Sequence, residues 1–170
     1  PTKAVRLIMP YPAGGSTDIV GRLVAERLTG ALGQVVLVDN KPGASAQIGT
    51  EMAAKAAADG YTLLMATSTN AINHVLGPKL PYDFPTEFQP IALIAKAGQV
   101  LVVHPSLPAR SVREFMALAK ARSGQLTYAS SGSGSSGHLA MEAFSIEAKI
   151  KLLHVPYKGN APALNDLLGG

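Results

Sequence analysis

Apolar residues along this chain fall into two alternating patterns: short runs, and longer stretches where they recur every third or fourth position. The first run covers residues 5–9 and is stopped by Pro10 and Pro12. Past Ala13-Gly14-Gly15-Ser16-Thr17-Asp18, a helical period carries Ile19, Val20, Leu23, Val24 and Leu28, with Arg22, Glu26 and Arg27 on the other side. Ser16 or Thr17 is the natural N-cap of that helix, and Gly33 its natural end. Residues 35–38 predict a second strand. The turn-rich stretch 40–45 follows, then a helix with Ile48, Met52, Ala53 and Ala56 that Asp59-Gly60 should end. Residues 62–66 predict a third strand, emptying into a polar loop at 67–70.

Residues 71–90 hold several prolines and read as irregular. Two further strands are expected at 91–95 and 100–103, on either side of 96–99. Ser111 and Glu114 form a capping-box pair opening a helix with Phe115, Leu118 and Ala119 inward. A strand at 126–129 leads through 130–137 into a helix with Leu139, Ala140, Ala143 and Phe144. A last strand at 152–155 precedes the loop 156–160, where Asn160 should cap a helix carrying Leu164, Leu167 and Leu168. Continuous apolar strands joined by helices predict an α/β fold of parallel sheets covered on both faces. The irregular stretch divides it into two lobes, 1–98 and 99–170. The second lobe looks unfinished at Gly169-Gly170, so a fragment of a longer protein, lacking its return to the first lobe, is expected.

Composition narrows the reading. The 170 residues are 47% hydrophobic and 15% charged, which suits a globular chain; with 5% aromatics and no tryptophan, aliphatic side chains must do most of the packing. The net charge of +4 comes from Lys and Arg scattered singly, not from the basic stripe with aromatics that nucleic acid requires. The absence of cysteine removes disulfides, thiolate catalysis and Cys-ligated metals. No apolar run reaches the roughly 18 residues that span a bilayer. No basic, then apolar, leader opens the chain, so a signal peptide is expected to be absent or already removed.

In open parallel sheets, ligands bind beyond the carboxyl ends of the strands. The loops at that end are 10–18, 40–47, 67–70, 130–138 and 156–160, all rich in Gly, Ser, Thr and Asn. Such loops can turn backbone N–H groups and helix N-termini onto an anion, with Ser16, Thr17, Ser131, Ser133, Ser135 and Ser136 as further donors. Gly-Ser turns are also ordinary connectors, so each loop alone is weak evidence. Gly132, Gly134 and Gly137 additionally match the dinucleotide fingerprint between a strand and a helix. The acidic residue expected about 20 positions on is missing, and Tyr157 and Lys158 stand there instead. An NAD(P)-dependent enzyme, with Lys158 meeting a 2′-phosphate, is therefore the alternative reading. Catalysis has little else: there is no G-x-S-x-G elbow and no metal-ligand spacing. His138 could act as a base, while His74, His104 and His154 are isolated. Asp18 either complements the helix dipole and orients its loop or accepts a ligand's ammonium.

Six blocks of residues, in order along the chain, resemble the substrate-binding proteins of tripartite tricarboxylate transporters, the Bug family. They are Val5-Arg6-Leu7-Ile8-Met9-Pro10-Tyr11-Pro12-Ala13-Gly14-Gly15-Ser16-Thr17-Asp18, Asn40-Lys41-Pro42-Gly43, Asp59-Gly60-Tyr61-Thr62-Leu63-Leu64, Pro105-Ser106-Leu107-Pro108-Ala109, Tyr128-Ala129-Ser130-Ser131-Gly132 and His154-Val155-Pro156-Tyr157-Lys158-Gly159. The resemblance implies a two-lobed periplasmic binding protein, monomeric, without cofactor, metal or catalytic residues, handing a small carboxylate to a membrane permease. A ligand-sensing co-receptor would use the same fold. The carboxylate is expected in the interlobe cleft, partly through water, between Tyr11, Ala13, Gly14, Gly15, Ser16, Thr17 and Asp18 and the loop of Ser131, Gly132, Ser133, Gly134, Ser135, Ser136 and His138. To these we add Thr67, Ser68 and Asn70, and Tyr157 and Lys158. Two departures border the cleft: Ala44-Ser45-Ala46 stands where members often carry Ala-Gly-Gly, and the stretch after Thr67 is slightly short.

Overall fold

The computed structural model describes residues 1–77 and 79–170. Strand β1 (Val5–Met9) forms the centre of a three-stranded parallel sheet, flanked by β2 (Val36–Asn40) and β3 (Thr62–Leu64) in the order β2-β1-β3. Val5 pairs with Val36 and Met9 with Asn40, while Arg6 pairs with Thr62. The central position explains the apolar run, interrupted only by Arg6, whose guanidinium pairs with Asp39. Val5, Leu7 and Met9 pack with Ala25, Val36 and Met65 in the main core, and Ile8 is equally buried. Each such side chain contributes roughly 1.5–3 kcal/mol through burial. Helix α1 (Ser16–Leu32) links β1 to β2, and α2 (Gln47–Ala54) links β2 to β3. Gly33 closes α1 in the left-handed conformation expected of it, with φ 67°.

The second sheet pairs β4 (Thr127–Ser130) with β5 (Leu153–Pro156), again parallel, joined by α6 (Ser136–Ala148). Helix α5 (Val112–Ala121) precedes it and α7 (Asn160–Gly169) follows. Helices α6 and α7 both pack against β4, while Leu153 and Val155 of β5 are 47% and 38% exposed.

Several boundaries differ from the sequence reading. The stretch 71–90 is partly helical: α3 (Ser68–Leu76) runs into it and α4 (Phe84–Glu87) lies within it. The loop expected at 67–70 is the start of α3, whose capping box uses Asn70 where Glu or Gln is the usual signal. The strands expected at 91–95 and 100–103 do not form; these residues have no regular structure, and Ile91 and Val100 are 79% and 80% exposed. A strand persists only where a neighbour takes its N–H and C=O groups, and neither segment has a ladder partner among the described residues. Helix α2 stops at Ala54, well before Asp59-Gly60, where the Asp59 carboxylate instead accepts from Tyr61 N at 3.0 Å. The N-cap of α1 is Gly15, not Ser16 or Thr17, and that of α7 is Gly159, not Asn160. At α5 the Ser111 hydroxyl accepts from Glu114 N at 3.2 Å, but the Glu114 carboxylate takes the Arg110 N–H, one residue outside the helix cap.

Candidate functional site

The carboxyl ends of both sheets meet at one cleft. Pro10 and Tyr11 after β1, the turn Gly43-Ala44-Ser45-Ala46 after β2, and Ser131, Tyr157 and Lys158 from the second sheet line it, around about 40 Å³ of free volume. That is close to the room one water takes in the liquid.

The loop after β1 is shaped by Asp18. Its carboxylate, 3% exposed, accepts from Gly14 N at 3.0 Å, Arg22 Nε at 2.9 Å and Asn40 Nδ2 at 2.9 Å. Burial alone would raise this carboxyl, but these hydrogen bonds and the Arg22 charge outweigh it and hold the pKa at about 2. The carboxylate is thereby committed to the chain's own donors and holds the glycine loop in place. The same Asn40 amide donates to Tyr11 O at 3.0 Å. The leading turn of α1, at Ser16 and Thr17, receives no side-chain cap among the described residues.

A polar chain runs behind the cleft. The Tyr11 and Thr67 hydroxyls share a bond of 2.7 Å; Thr67 N donates to Asn70 Oδ1 at 2.8 Å; Asn70 Nδ2 donates to Thr50 Oγ1, which donates to Ala46 O, both at 2.7 Å. Asn70, 2% exposed, therefore ties α2 to α3, whereas Ser68 faces solvent. This chain ends on an unusual turn. Ala44, Ser45 and Ala46 all have positive φ, at 46°, 51° and 74°. Left-handed backbone costs a non-glycine residue roughly 1–2 kcal/mol, and such strain persists only where its surroundings impose it. Here Thr50 holds the Ala46 carbonyl, and Asn73 Nδ2 holds the Ser45 carbonyl at 2.6 Å.

The second glycine loop is folded on itself. Ser130 Oγ accepts from Gly132 N at 3.2 Å and donates to Gly132 O at 3.0 Å, and Ser135, almost fully buried, caps α6 through His138 N at 3.2 Å. His138 Nδ1 accepts from Gly134 N at 3.1 Å, and its ring stacks 4.0 Å from that of His154. His154 in turn bonds Ser130 Oγ at 2.6 Å. Burial and the neighbouring His138 depress the His154 pKa, with Glu142 opposing. The two histidines thus brace the loop from behind. Ser133 is exposed, Ser131 and Ser136 partly so, and Ser136 Oγ takes Gln99 Nε2 at 3.4 Å. The Tyr157 hydroxyl donates to Asp166 at 2.7 Å, which raises its pKa, and Tyr157 N donates to Ser130 O at 3.0 Å.

The structure so brings Tyr11, Ser131, Tyr157 and Lys158 to one place, with Pro12 against Gly159 and with Thr67 and Asn70 forming a supporting layer; the lining does not include 13–18 or 133–138. The sequence did not single out Thr50 or Asn73; Asn40 and the 44–46 turn stood there only as part of the resemblance and as a departure from it, not as site residues. A strand-end Asn before a Pro-Gly turn was the available signal for Asn40; nothing in Ala-Ser-Ala announces three left-handed residues.

Comparison with known proteins follows this geometry. The family model described as "Tripartite tricarboxylate transporter family receptor" matches residues 20–170. Protein BugT of Bordetella pertussis is 40% identical over 172 residues, covering 100% of this chain and 53% of BugT. Among solved structures, "Structure of a periplasmic transporter" aligns with a TM-score of 0.95 at 41% identity, covering 100% of this chain and 57% of that one. "R. palustris Rpa4515 with adipate" aligns with a TM-score of 0.97 at 40% identity, again covering 100% of this chain and 57% of the other. The chain spans about half the length of the relatives it matches. These matches lend nothing to the nucleotide-dependent alternative.

Proposed function

Because the chain belongs to the tripartite tricarboxylate transporter receptor family, we propose that it forms part of a two-lobed periplasmic protein that captures a small carboxylate in the cleft between lobes 1–98 and 99–170. The observation that carries this reading is the likeness of the whole chain to an adipate-bound protein at a TM-score of 0.97. The geometry agrees with it. Two glycine-rich loops each open a helix of more than ten residues, and across the cleft Pro12 lies against Gly159 and Ser45 against Gly132. Their N–H groups and helix ends offer the partial positive charge a carboxylate needs. The lining includes one cationic side chain, Lys158, because Arg22 is taken up by Asp18 and Asn40.

On this reading Tyr11, Ala13, Gly14, Gly15, Ser16 and Thr17 meet the ligand from the first lobe, and Ser131, Gly132, Ser133, Gly134 and Ser136 from the second. Asp18, Asn70, Ser135 and His138 hold those loops, and Thr67, Ser68, Tyr157 and Lys158 border them. The cleft encloses about 40 Å³ of free volume, and the ligand enters as the lobes part and is held as they close. The closed protein then acts as a monomer that docks on a membrane permease; capture involves no bond chemistry and no cofactor.

A thermal-shift screen against short mono- and dicarboxylates, with their amides as controls, tests this. At 100 times its Kd a ligand adds about 2.7 kcal/mol of stability. A shift with an acid and none with its amide is the expected result. Shifts only with NAD or NADP would overturn the proposal.

A further inference from the structure

Three glycines of the second sheet's loops have positive φ, and each lies against a first-lobe residue. A methyl group built on Gly132 would meet Ser45 Oγ at 2.9 Å. One on Gly134 would meet Asn73 Oδ1 at 3.2 Å, and one on Gly159 would meet the Pro12 ring at 2.7 Å. The first-lobe side of these contacts is rigid. Pro12 has a fixed ring, Asn73 is 4% exposed and bonded to the Ser45 carbonyl, and Ser45 is held in the strained turn that Thr50 and Asn73 impose. The three contacts come from three separate segments, after β1, after β2 and within α3, so together they define a plane rather than a point.

We propose that Pro12, Ser45 and Asn73 are positioning residues for lobe closure: each seats on a glycine of the opposing lobe, and the fit of the three seats sets how far the cleft closes on its ligand. This rests on the two-lobe reading above. It gives the left-handed turn a purpose, because strain held at a functional site is a recurring device, and here it aims the Ser45 side chain across the cleft. It also assigns the loop glycines a role beyond their own backbone: any side chain there would hold the lobes apart.

The test leaves the glycines alone, since L-residues at their φ values are strained whatever they touch. Ser45→Asn enlarges the seated side chain at a position whose left-handed backbone asparagine tolerates, whereas Ser45→Gly empties the seat and relieves the turn. The chain has no cysteine, so Glu26→Cys and Lys120→Cys, both at exposed positions on α1 and α5, provide unique spin-label sites. Interlobe distances are measured by pulsed electron paramagnetic resonance, without ligand and with adipate. The expected result is that Ser45→Asn loses the short-distance population of the wild type while Ser45→Gly keeps it. Identical distributions in all three proteins would overturn the proposal, and so would loss of the short distance in Ser45→Gly. If adipate leaves the wild type unchanged while Ser45→Asn still lengthens the distance, the adipate part of the functional reading fails and the seating stands.

Discussion

Replacing Asp18 by asparagine removes a charge at almost no cost in volume, and so isolates what the carboxylate does. The wild-type group accepts from Gly14 N, Arg22 Nε and Asn40 Nδ2, and its side chain is 4% exposed. An amide offers one oxygen and turns its NH₂ toward a donor, so at least one of the three bonds must break. The pKa falls from 3.8 to about 2 on folding, which at about 1.4 kcal/mol per unit amounts to about 2 kcal/mol. Arg22 is 54% exposed, so the part of this due to its charge is screened by solvent, and 2 kcal/mol is an upper figure. The sign follows from linkage: a folded pKa below the unfolded value gives stability that is present above the unfolded pKa and disappears as pH falls through the folded one. Urea unfolding followed by circular dichroism at intervals from pH 7 to 2 should show Asp18→Asn less stable by up to about 2 kcal/mol at neutral pH. The two proteins should converge as pH drops from about 4 towards 2. Parallel curves, with the deficit undiminished at the acid end, would refute the assignment of the deficit to the ionised carboxylate.

Further outcomes follow from the same contacts. Gly49→Ala would place a methyl 2.8 Å from Lys41 O and 2.9 Å from Pro10 Cα, both backbone atoms, so α2 must shift; a loss of roughly 1–3 kcal/mol in urea unfolding is expected, and an unchanged midpoint would contradict the close approach. Thr50→Val keeps the shape and leaves the Ala46 carbonyl its bond from the backbone N–H of residue 50, but strands the Asn70 amide, at roughly 1–3 kcal/mol by the same measurement; a neutral effect would mean that the polar chain behind the cleft does not hold the turn. Because burial and His138 depress the His154 pKa, the folded protein resists its protonation. Stability should therefore be complete above about pH 6.5 and fall as pH drops from there towards the folded pKa. Nuclear magnetic resonance titration of the imidazole, expected below the free value, checks the direction, and a raised value would contradict it.

The sequence made the order β1-α1-β2-α2-β3 legible because β1 is buried on both faces and α1 keeps its apolar period. It misled where apolar runs lacked partners. Residues 91–95 and 100–103 carry the composition of strands, but composition cannot supply the neighbouring backbone that a ladder requires. Helix α3 was hidden for the opposite reason: its capping box uses Thr67 and Asn70, and its polar first turn reads as loop. The glycine loops and their position above the strands could be read directly, since glycine and serine mark such turns in sequence. The strained turn at Ala44, Ser45 and Ala46 could not, because beside the local hold of Thr50 its conformation depends on Asn73, a remote carbonyl-binding partner that no local pattern connects to it.

The central claim, that a carboxylate is held by backbone N–H groups from both glycine loops, is tested most directly by an amide-resolved magnetic resonance titration. With the acid that gives the largest thermal shift, the N–H signals of 13–17 and of 131–136 should move together at one apparent Kd. Movement confined to one loop, or to residues around Lys158 alone, would contradict capture between the lobes.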